Sequence, residues 1–167
     1  SEPLRVHLGW KADKADAAVQ ELLVQVGLSP EHANRFPHEF SGGQRQRIAI
    51  ARALAADARL LVLDEAVSAL DVSIRAQVIT LLEQLQADLG VSYLYIGHDL
   101  ATVSHLADRV GVMYLGRLCE AGDSVTVSTD PRHPYTQALF ASALPHHPDA
   151  ARDAAVPVTG EVPSALN

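Results

Sequence analysis

A short apolar run that stops at two carboxylates constrains this chain more than any other feature. Residues 60–63 read Leu-Leu-Val-Leu, and Asp64 and Glu65 follow at once. A continuous apolar run of this length is typical of a strand that is buried on both faces of a parallel sheet. Ligands of open α/β sheets bind at the carboxyl ends of the strands. The run therefore predicts a central strand with Asp64 and Glu65 at its ligand-binding end, although an exposed acidic turn after a core strand would give the same pattern.

The segments on either side of this run alternate between helical and strand patterns. The helical stretches have apolar residues three or four apart, and two of them are followed by a glycine, Gly27 and Gly90. The strand stretches are short and apolar. Such alternation predicts an α/β fold with a mainly parallel sheet. We expect helices over residues 13–26, 44–56, 72–89, 100–107 and 135–143, a short helix from Ser29, strands over residues 60–63, 93–96 and 110–115, a short strand around 118–119, and an extended tail from residue 146.

The charge balance and the single cysteine restrict which partners and which cellular compartment are expected for this chain. The chain has 20 Asp and Glu against 13 Lys and Arg, a formal charge of −7, which argues against general affinity for nucleic acid. Cys119 is the single cysteine, so no internal disulfide is possible and a reducing compartment is favoured. No apolar stretch reaches the roughly 18 residues of a membrane span. We therefore expect a cytoplasmic location and no nucleic-acid partner.

A second candidate site is the sequence Ser41-Gly42-Gly43-Gln44, which opens an Arg-rich helix. Adjacent glycines let backbone N–H groups approach an anion closely, and a helix N-terminus adds the positive end of its dipole. The same residues also fit a plain N-cap followed by a tight turn, which is the commoner use of such residues. The pattern therefore leaves an anion site and a structural cap both open.

A third candidate is His98, which directly follows the predicted strand over residues 93–96. If that strand neighbours residues 60–63, His98 lies at the same sheet edge as Asp64 and Glu65. A histidine there can contact a terminal phosphate and its attacking water. A lone histidine is more often an ordinary surface or core group, so His98 alone is a weak indication.

Taken together, these motifs resemble the ATP-binding-cassette (ABC) ATPase family. Along the chain stand Ser-Gly-Gly-Gln at 41–44, the apolar run with Asp-Glu at 60–65, Ser-Ala-Leu-Asp at 68–71 and Gly-His-Asp at 97–99. They match the family's signature motif, Walker B strand, D-loop and switch histidine. The resemblance covers nearly the whole chain. It implies a P-loop NTPase-type α/β fold with a helical subdomain, truncated at the N-terminus.

The resemblance also implies a role for each matching residue. Asp64 would hold Mg²⁺, Glu65 would polarise the attacking water, and His98 would contact the γ-phosphate of ATP; Glu65 and His98 are thus the implied catalytic residues. Members of the family pack two ATPase domains head to tail with ATP between them, so the signature motif would grip nucleotide that is bound mainly to the partner domain. The implied nucleotide-contacting residues are Ser41, Gly42, Gly43, Gln44 and Asp71.

The chain also departs from the family's pattern. Pro-Thr usually follows the Walker B glutamate, but here Ala66 and Val67 stand there, and Gly97 replaces the usual Ser or Thr before the histidine. Both changes could loosen the placement of Glu65 and His98. No G-x-x-x-x-G-K-[ST] occurs in the sequence, and residues 111–116 have only its glycine spacing. We therefore expect this chain to be inactive by itself and the full-length protein to be an ATPase.

The C-terminal region narrows the subfamily. Residues 130–139 and 160–164 resemble the segments that follow the core in ATPases of dipeptide, oligopeptide and nickel importers. The implied function is the ATP-hydrolysing subunit of an importer for peptides or a related small solute, held at the inner face of the cell membrane by permease subunits. A non-transport ABC ATPase of DNA repair or translation, and an inactive fragment that lends its signature motif in trans, are the alternatives. We expect a helical subdomain over residues 1–56, the second half of the catalytic core over 57–121 and a C-terminal appendage over 122–167.

Overall fold

The fold is described by a computed structural model that covers residue 5 and residues 9–143. The chain divides into two compact units, residues 1–97 and residues 98–167. The helices are Ala12–Gln25 (α1), Gly42–Leu54 (α2), Val72–Leu89 (α3), Leu100–Leu106 (α4), Ser124–Thr129 (α5) and Pro134–Ala143 (α6), with short 3-10 helices at Pro30–Asn34 and Pro37–Glu39. The strands are Leu60–Asp64 (β1), Ser92–Ile96 (β2), Arg109–Tyr114 (β3) and Arg117–Asp123 (β4).

In the first unit, β1 and β2 form a parallel pair, with Asp64 opposite Ile96 at the carboxyl end. Helix α3 lies against one face of this pair, because the Tyr93 hydroxyl donates a hydrogen bond to a carbonyl of α3, that of Leu82, at 2.8 Å. Core residues of this unit include Leu61, Leu63, Val78 and Leu82. Helices alternate with parallel strands here as the sequence pattern predicts.

The prediction that residues 60–63 are buried on both faces is wrong for the described chain. Leu61 and Leu63 are 3% and 6% exposed, but Leu60 and Val62 on the opposite face are 55% and 60% exposed. Among the described residues of this unit, helix packing buries one face of the strand pair only. An apolar run indicates a strand, but it does not reveal which faces are covered.

Arg47 links the two α-helices that precede β1 by a hydrogen bond. Gly27 lies two residues beyond the end of α1 and has a φ of 71°, the left-handed conformation that favours glycine after a helix end. The Arg47 guanidinium of α2 donates to the Val26 carbonyl at 2.8 Å and lies where a side chain at position 27 would project. Arg47 is therefore half-buried, and it caps the end of α1.

The second unit is built on an antiparallel hairpin. β3 and β4 are joined by Leu115 and Gly116, both with positive φ, as in the two-residue turns whose twist matches that of the strands. Side chains of α4, β4 and α6 pack against a core of Val110, Val112 and Val127. The second strand of the hairpin is longer than predicted, and α5 was not predicted. Asp123 begins α5 by accepting hydrogen bonds from the N–H groups of its first turn.

The α/β fold class is confirmed. Apart from β4, the predicted helices and strands have ends within about two residues of the observed ones, a usual margin for element ends. The division at residues 56 and 121 stays a prediction. The tail predicted from residue 146 lies outside the described residues. Of the helices that the structure describes, none combines the length and apolarity needed to cross a membrane.

Candidate functional site

The carboxyl end of β1 presents two exposed carboxylates. Asp64 is the last residue of β1 and Glu65 follows it; both side chains are exposed. Neither carboxylate therefore bears the cost of full burial. This is the end of the sheet at which open α/β folds bind ligands.

The backbone of Glu65 has an uncommon conformation. Its φ is 45°, in the left-handed region that costs a residue with a Cβ about 1–2 kcal/mol. Its N–H donates to the Ile96 carbonyl at 2.9 Å, which ties it to the end of β2. Its carbonyl accepts hydrogen bonds from the Ser68 N–H at 3.1 Å and the Ser68 hydroxyl at 2.9 Å. Such conformations persist where their surroundings fix them, and they cluster at functional sites.

The turn that follows Glu65 is anchored in the core and at the start of α3. Val67 is only 2% exposed, so its side chain fixes the middle of the turn. Asp71 caps α3, because its carboxylate accepts the Ile74 N–H at 3.0 Å. Arg75 donates to the Leu70 carbonyl at 3.3 Å. The valine at position 67, one of the departures from the family pattern, is therefore a buried core residue.

The signature-like segment forms the start of α2. The Ser41 hydroxyl accepts the Gln44 N–H at 3.3 Å, and the Gln44 side-chain oxygen accepts the Ser41 N–H at 3.0 Å. This reciprocal capping box is the structural alternative that the sequence left open. It satisfies the third N–H of the helix, while the N–H groups of Gly42 and Gly43 have no acceptor within an α-helix. The cap and an anion site are therefore compatible.

Close packing brings this segment beside the turn that follows β1. A Cβ built on Gly43 would overlap with Cγ2 of Ile74 in α3. A Cβ on Gly42 would lie 3.7 Å from a methyl group of Leu70, an ordinary contact. The predicted signature and D-loop residues are thus neighbours in one unit, which their separation in sequence does not reveal.

His98 is exposed and is the first residue of the second unit, two positions beyond the end of β2. The next residue, Asp99, caps α4, since its carboxylate accepts the Ala101 N–H at 3.2 Å and the Thr102 hydroxyl at 3.0 Å. The position of His98 relative to Glu65 stays a prediction. On the β2 side, a Cβ on Gly97 would lie 2.8 Å from Cε1 of the Tyr95 ring.

The donor set fits magnesium better than a metal held only by protein ligands. Among residue 5 and residues 9–143, no three His, Cys, Asp or Glu side chains form a metal-binding group. Mg²⁺ in nucleotide enzymes takes one or two carboxylates, with water and substrate phosphates as its other ligands. The exposed Asp64 carboxylate can be such a ligand.

Two residues contribute contacts to this site that the sequence did not predict. The D-loop motif includes Ser68, but it does not predict the hydrogen bond from the Ser68 hydroxyl to the Glu65 carbonyl. Ile74, which dictates glycine at position 43, was not singled out at all. A serine three residues after the glutamate is compatible with a local side-chain turn, and that was the available signal for Ser68.

The comparisons with known proteins decide the family. The profile of the family described as "ABC transporter" matches residues 2–68. The glutathione import ATP-binding proteins GsiA of Shigella flexneri and Escherichia coli are each 52% identical to this chain over 166 residues, and that of Salmonella typhi is 50% identical over 166 residues. This chain belongs to the ABC transporter family of ATP-binding proteins.

The relatives also show how much of such a protein this chain represents. Each GsiA alignment covers 99% of this chain but 27% of the relative's own length. A solved chain of an ABC transporter of metal-chelate type, in an inward-facing conformation, is similar with a TM-score of 0.65 and 28% identity over 71% of this chain and 46% of the solved one. The chain thus has an ABC ATPase fold, and it spans about a quarter of the length of its curated relatives.

Proposed function

We propose that this chain is the part of an ABC importer's ATP-binding subunit that carries the catalytic carboxylate and the signature motif. The observation that carries this proposal is the backbone of Glu65, held in the left-handed conformation at the carboxyl end of β1 beside Asp64. Relatives named for glutathione import support an importer of a peptide or a similar small solute. They disfavour a non-transport ATPase of DNA repair or translation.

Asp64, Glu65 and His98 would have three different roles in ATP hydrolysis. Asp64 would hold Mg²⁺, which when bound neutralises charge on the phosphates. Glu65 would accept a hydrogen bond from the attacking water and orient it towards the γ-phosphate. His98 would donate to that phosphate. The fixed backbone of Glu65 serves this role because a water-orienting group acts by its position.

The signature segment would act on nucleotide bound to a second ATPase domain, packed head to tail with this one. Ser41, Gly42, Gly43 and Gln44 present a helix N-terminus, which favours a phosphate. Asp71 would line the shared interface. In this arrangement permease subunits hold the ATPase pair at the cytoplasmic face of the membrane.

The catalytic assignment is tested by Glu65→Gln, which keeps the shape of the side chain and removes its charge. We would place this chain in the E. coli GsiA protein in exchange for the aligned 166-residue segment. The substitution should leave ATP binding intact and lower turnover about 10²–10⁴-fold, the usual contribution of a positioned acid–base group. The matched control is Glu21→Gln, an exposed glutamate of α1. Turnover by Glu65→Gln equal to that of the control would refute the assignment.

A second candidate is that the chain lends its signature motif to another ATPase domain without turning over ATP itself. The observation in its favour is that the contacts shaping this segment come from Gln44, Leu70 and Ile74, all within the first unit. Mixing the chain with an intact partner domain should then raise the partner's ATPase rate. Ser41→Arg should abolish the increase, and Ser29→Arg, at another exposed N-cap serine, should not. Equal stimulation by both variants would exclude this function.

A further inference from the structure

The hydroxyl of Ser68 bonds to Glu65, the proposed water-orienting residue, whose backbone has the left-handed conformation. Ser68 donates to the Glu65 carbonyl twice, from its N–H at 3.1 Å and its hydroxyl at 2.9 Å. On its other side, Glu65 donates its N–H to the Ile96 carbonyl at 2.9 Å. Both peptide groups that flank the Glu65 side chain are therefore held.

These bonds hold the backbone that carries the carboxylate. The φ of Glu65 is 45°, and a residue with a Cβ reverts to negative φ when nothing opposes it. Such a reversal would rotate the Cα–Cβ bond and carry the side chain away from its present direction. The bond to Ile96 holds the N–H side of the residue. The carbonyl side depends on Ser68.

Ser68 itself is held from both directions, although its side chain is exposed. Its neighbour Val67 is buried at 2% exposure, and Leu70 donates its N–H to the Val67 carbonyl at 3.2 Å. Asp71 then begins α3 as its N-cap. The hydroxyl is therefore presented to the Glu65 carbonyl by a turn anchored in the core, rather than by a freely moving loop.

We propose that Ser68 is a positioning residue, which keeps Glu65 in its left-handed backbone conformation and so aims the carboxylate. The inference rests on the proposed role of Glu65 in ATP hydrolysis. Ser68 acts through the Glu65 peptide group and need not touch the nucleotide.

The structural part of the proposal is tested on the full 167-residue chain by nuclear magnetic resonance. Ser68→Ala removes the hydroxyl, and Ser68→Thr keeps one. Ser73→Ala is the matched control, at an exposed serine in the first turn of α3. Losing one hydrogen bond should raise the amide exchange rate of Glu65 about five-fold and move the scalar coupling that reports its φ. Ser68→Thr should restore both signals. An unchanged Glu65 in Ser68→Ala overturns the proposal.

The functional part is tested in the GsiA exchange protein. Ser68→Ala should lower kcat about five-fold and leave the KM for ATP unchanged, and Ser68→Thr should recover kcat. If Glu65→Gln abolishes turnover but Ser68→Ala keeps the normal kcat, the positioning role is refuted. If Glu65→Gln itself leaves turnover unchanged, the proposed function fails instead, and the resonance measurements still decide whether Ser68 fixes the Glu65 backbone.

Discussion

Gly43 offers the sharpest test of how the signature segment is built. It is a buried residue in the first turn of α2, where that helix passes the start of α3. A Cβ at this position would overlap with Cγ2 of Ile74. The adjacent Gly42 is exposed, and a Cβ there would make only an ordinary contact with Leu70. Gly43→Ala and Gly42→Ala therefore add the same methyl group, the first at a packed contact between helices and the second at an exposed position.

The expected magnitudes follow from two opposing effects. Placing alanine in a helix instead of glycine favours folding by about 0.4–1 kcal/mol, and this gain applies to both positions. Forcing an extra methyl group into a packed interface costs about 1–3 kcal/mol, and this cost applies to Gly43 alone. Gly42→Ala should thus be neutral or slightly stabilising. Gly43→Ala should be less stable than Gly42→Ala by about 1–3 kcal/mol.

Urea unfolding of the full chain, followed by circular dichroism, measures this difference as a shift of the midpoint. A double-mutant cycle with Ile74→Ala tests its cause, since alanine keeps the Ile74 Cβ, which would lie at 3.8 Å, and removes Cγ2. The cost of Gly43→Ala should then largely vanish. Two outcomes would show that contact with Ile74 is not the reason for a glycine at position 43. One is equal stability of Gly43→Ala and Gly42→Ala. The other is that Gly43→Ala destabilises the Ile74→Ala variant as much as it destabilises the unchanged chain.

Two further predictions concern pH. Burial raises the pKa of Tyr93 from 10.0 to about 12, so the neutral phenol is favoured in the fold. The contribution of Tyr93 to stability should therefore be constant below pH 10 and be lost as pH rises towards 12. Tyr93→Phe should lack that loss in alkaline unfolding curves, and a curve identical to that of the unchanged chain would contradict the assignment. Hydrogen bonds, first from the backbone N–H of Arg132, lower the pKa of Glu120 below 4.5. The stabilising contribution of the Glu120 carboxylate is therefore present above pH 4.5 and is lost as pH falls through the lowered pKa. Glu120→Gln should reduce the loss of stability at acid pH in unfolding curves, and an unchanged loss would exclude this carboxylate as its source.

Much of the fold was predictable because it depends on local pattern. Residues 72–89 carry an apolar stripe that ends at Gly90, and α3 has those bounds. α5 was missed because six residues rich in Thr, Ser and Val have weak helix propensity, and its main signal is the cap at Asp123. The exposure of Leu60 and Val62 was unpredictable, because periodicity records which residues are apolar and not what covers them.

The candidate site divides in the same way. The identities of its residues are present in linear motifs, so Asp64, Glu65 and Ser41 could be selected from sequence. The left-handed backbone of Glu65 could not, because it depends on which carbonyl of β2 meets the Glu65 N–H, and that register is a property of the folded pair. The packing of Gly43 on Ile74 is likewise a contact between helices far apart in sequence.

The departures from the family pattern at positions 67 and 97 are both explained by their immediate neighbours. Val67 is 2% exposed, and an apolar side chain there avoids the cost of burying a hydroxyl that needs a partner. At position 97, the Tyr95 ring lies where a side chain would begin, at 2.8 Å from the Cβ site, so Ser or Thr would fit only if that ring moved. Glycine at 97 is therefore the residue that accommodates Tyr95. The two departures thus follow from the packing of β2 and of the turn after β1, and neither disturbs the hydrogen bonds that hold Glu65.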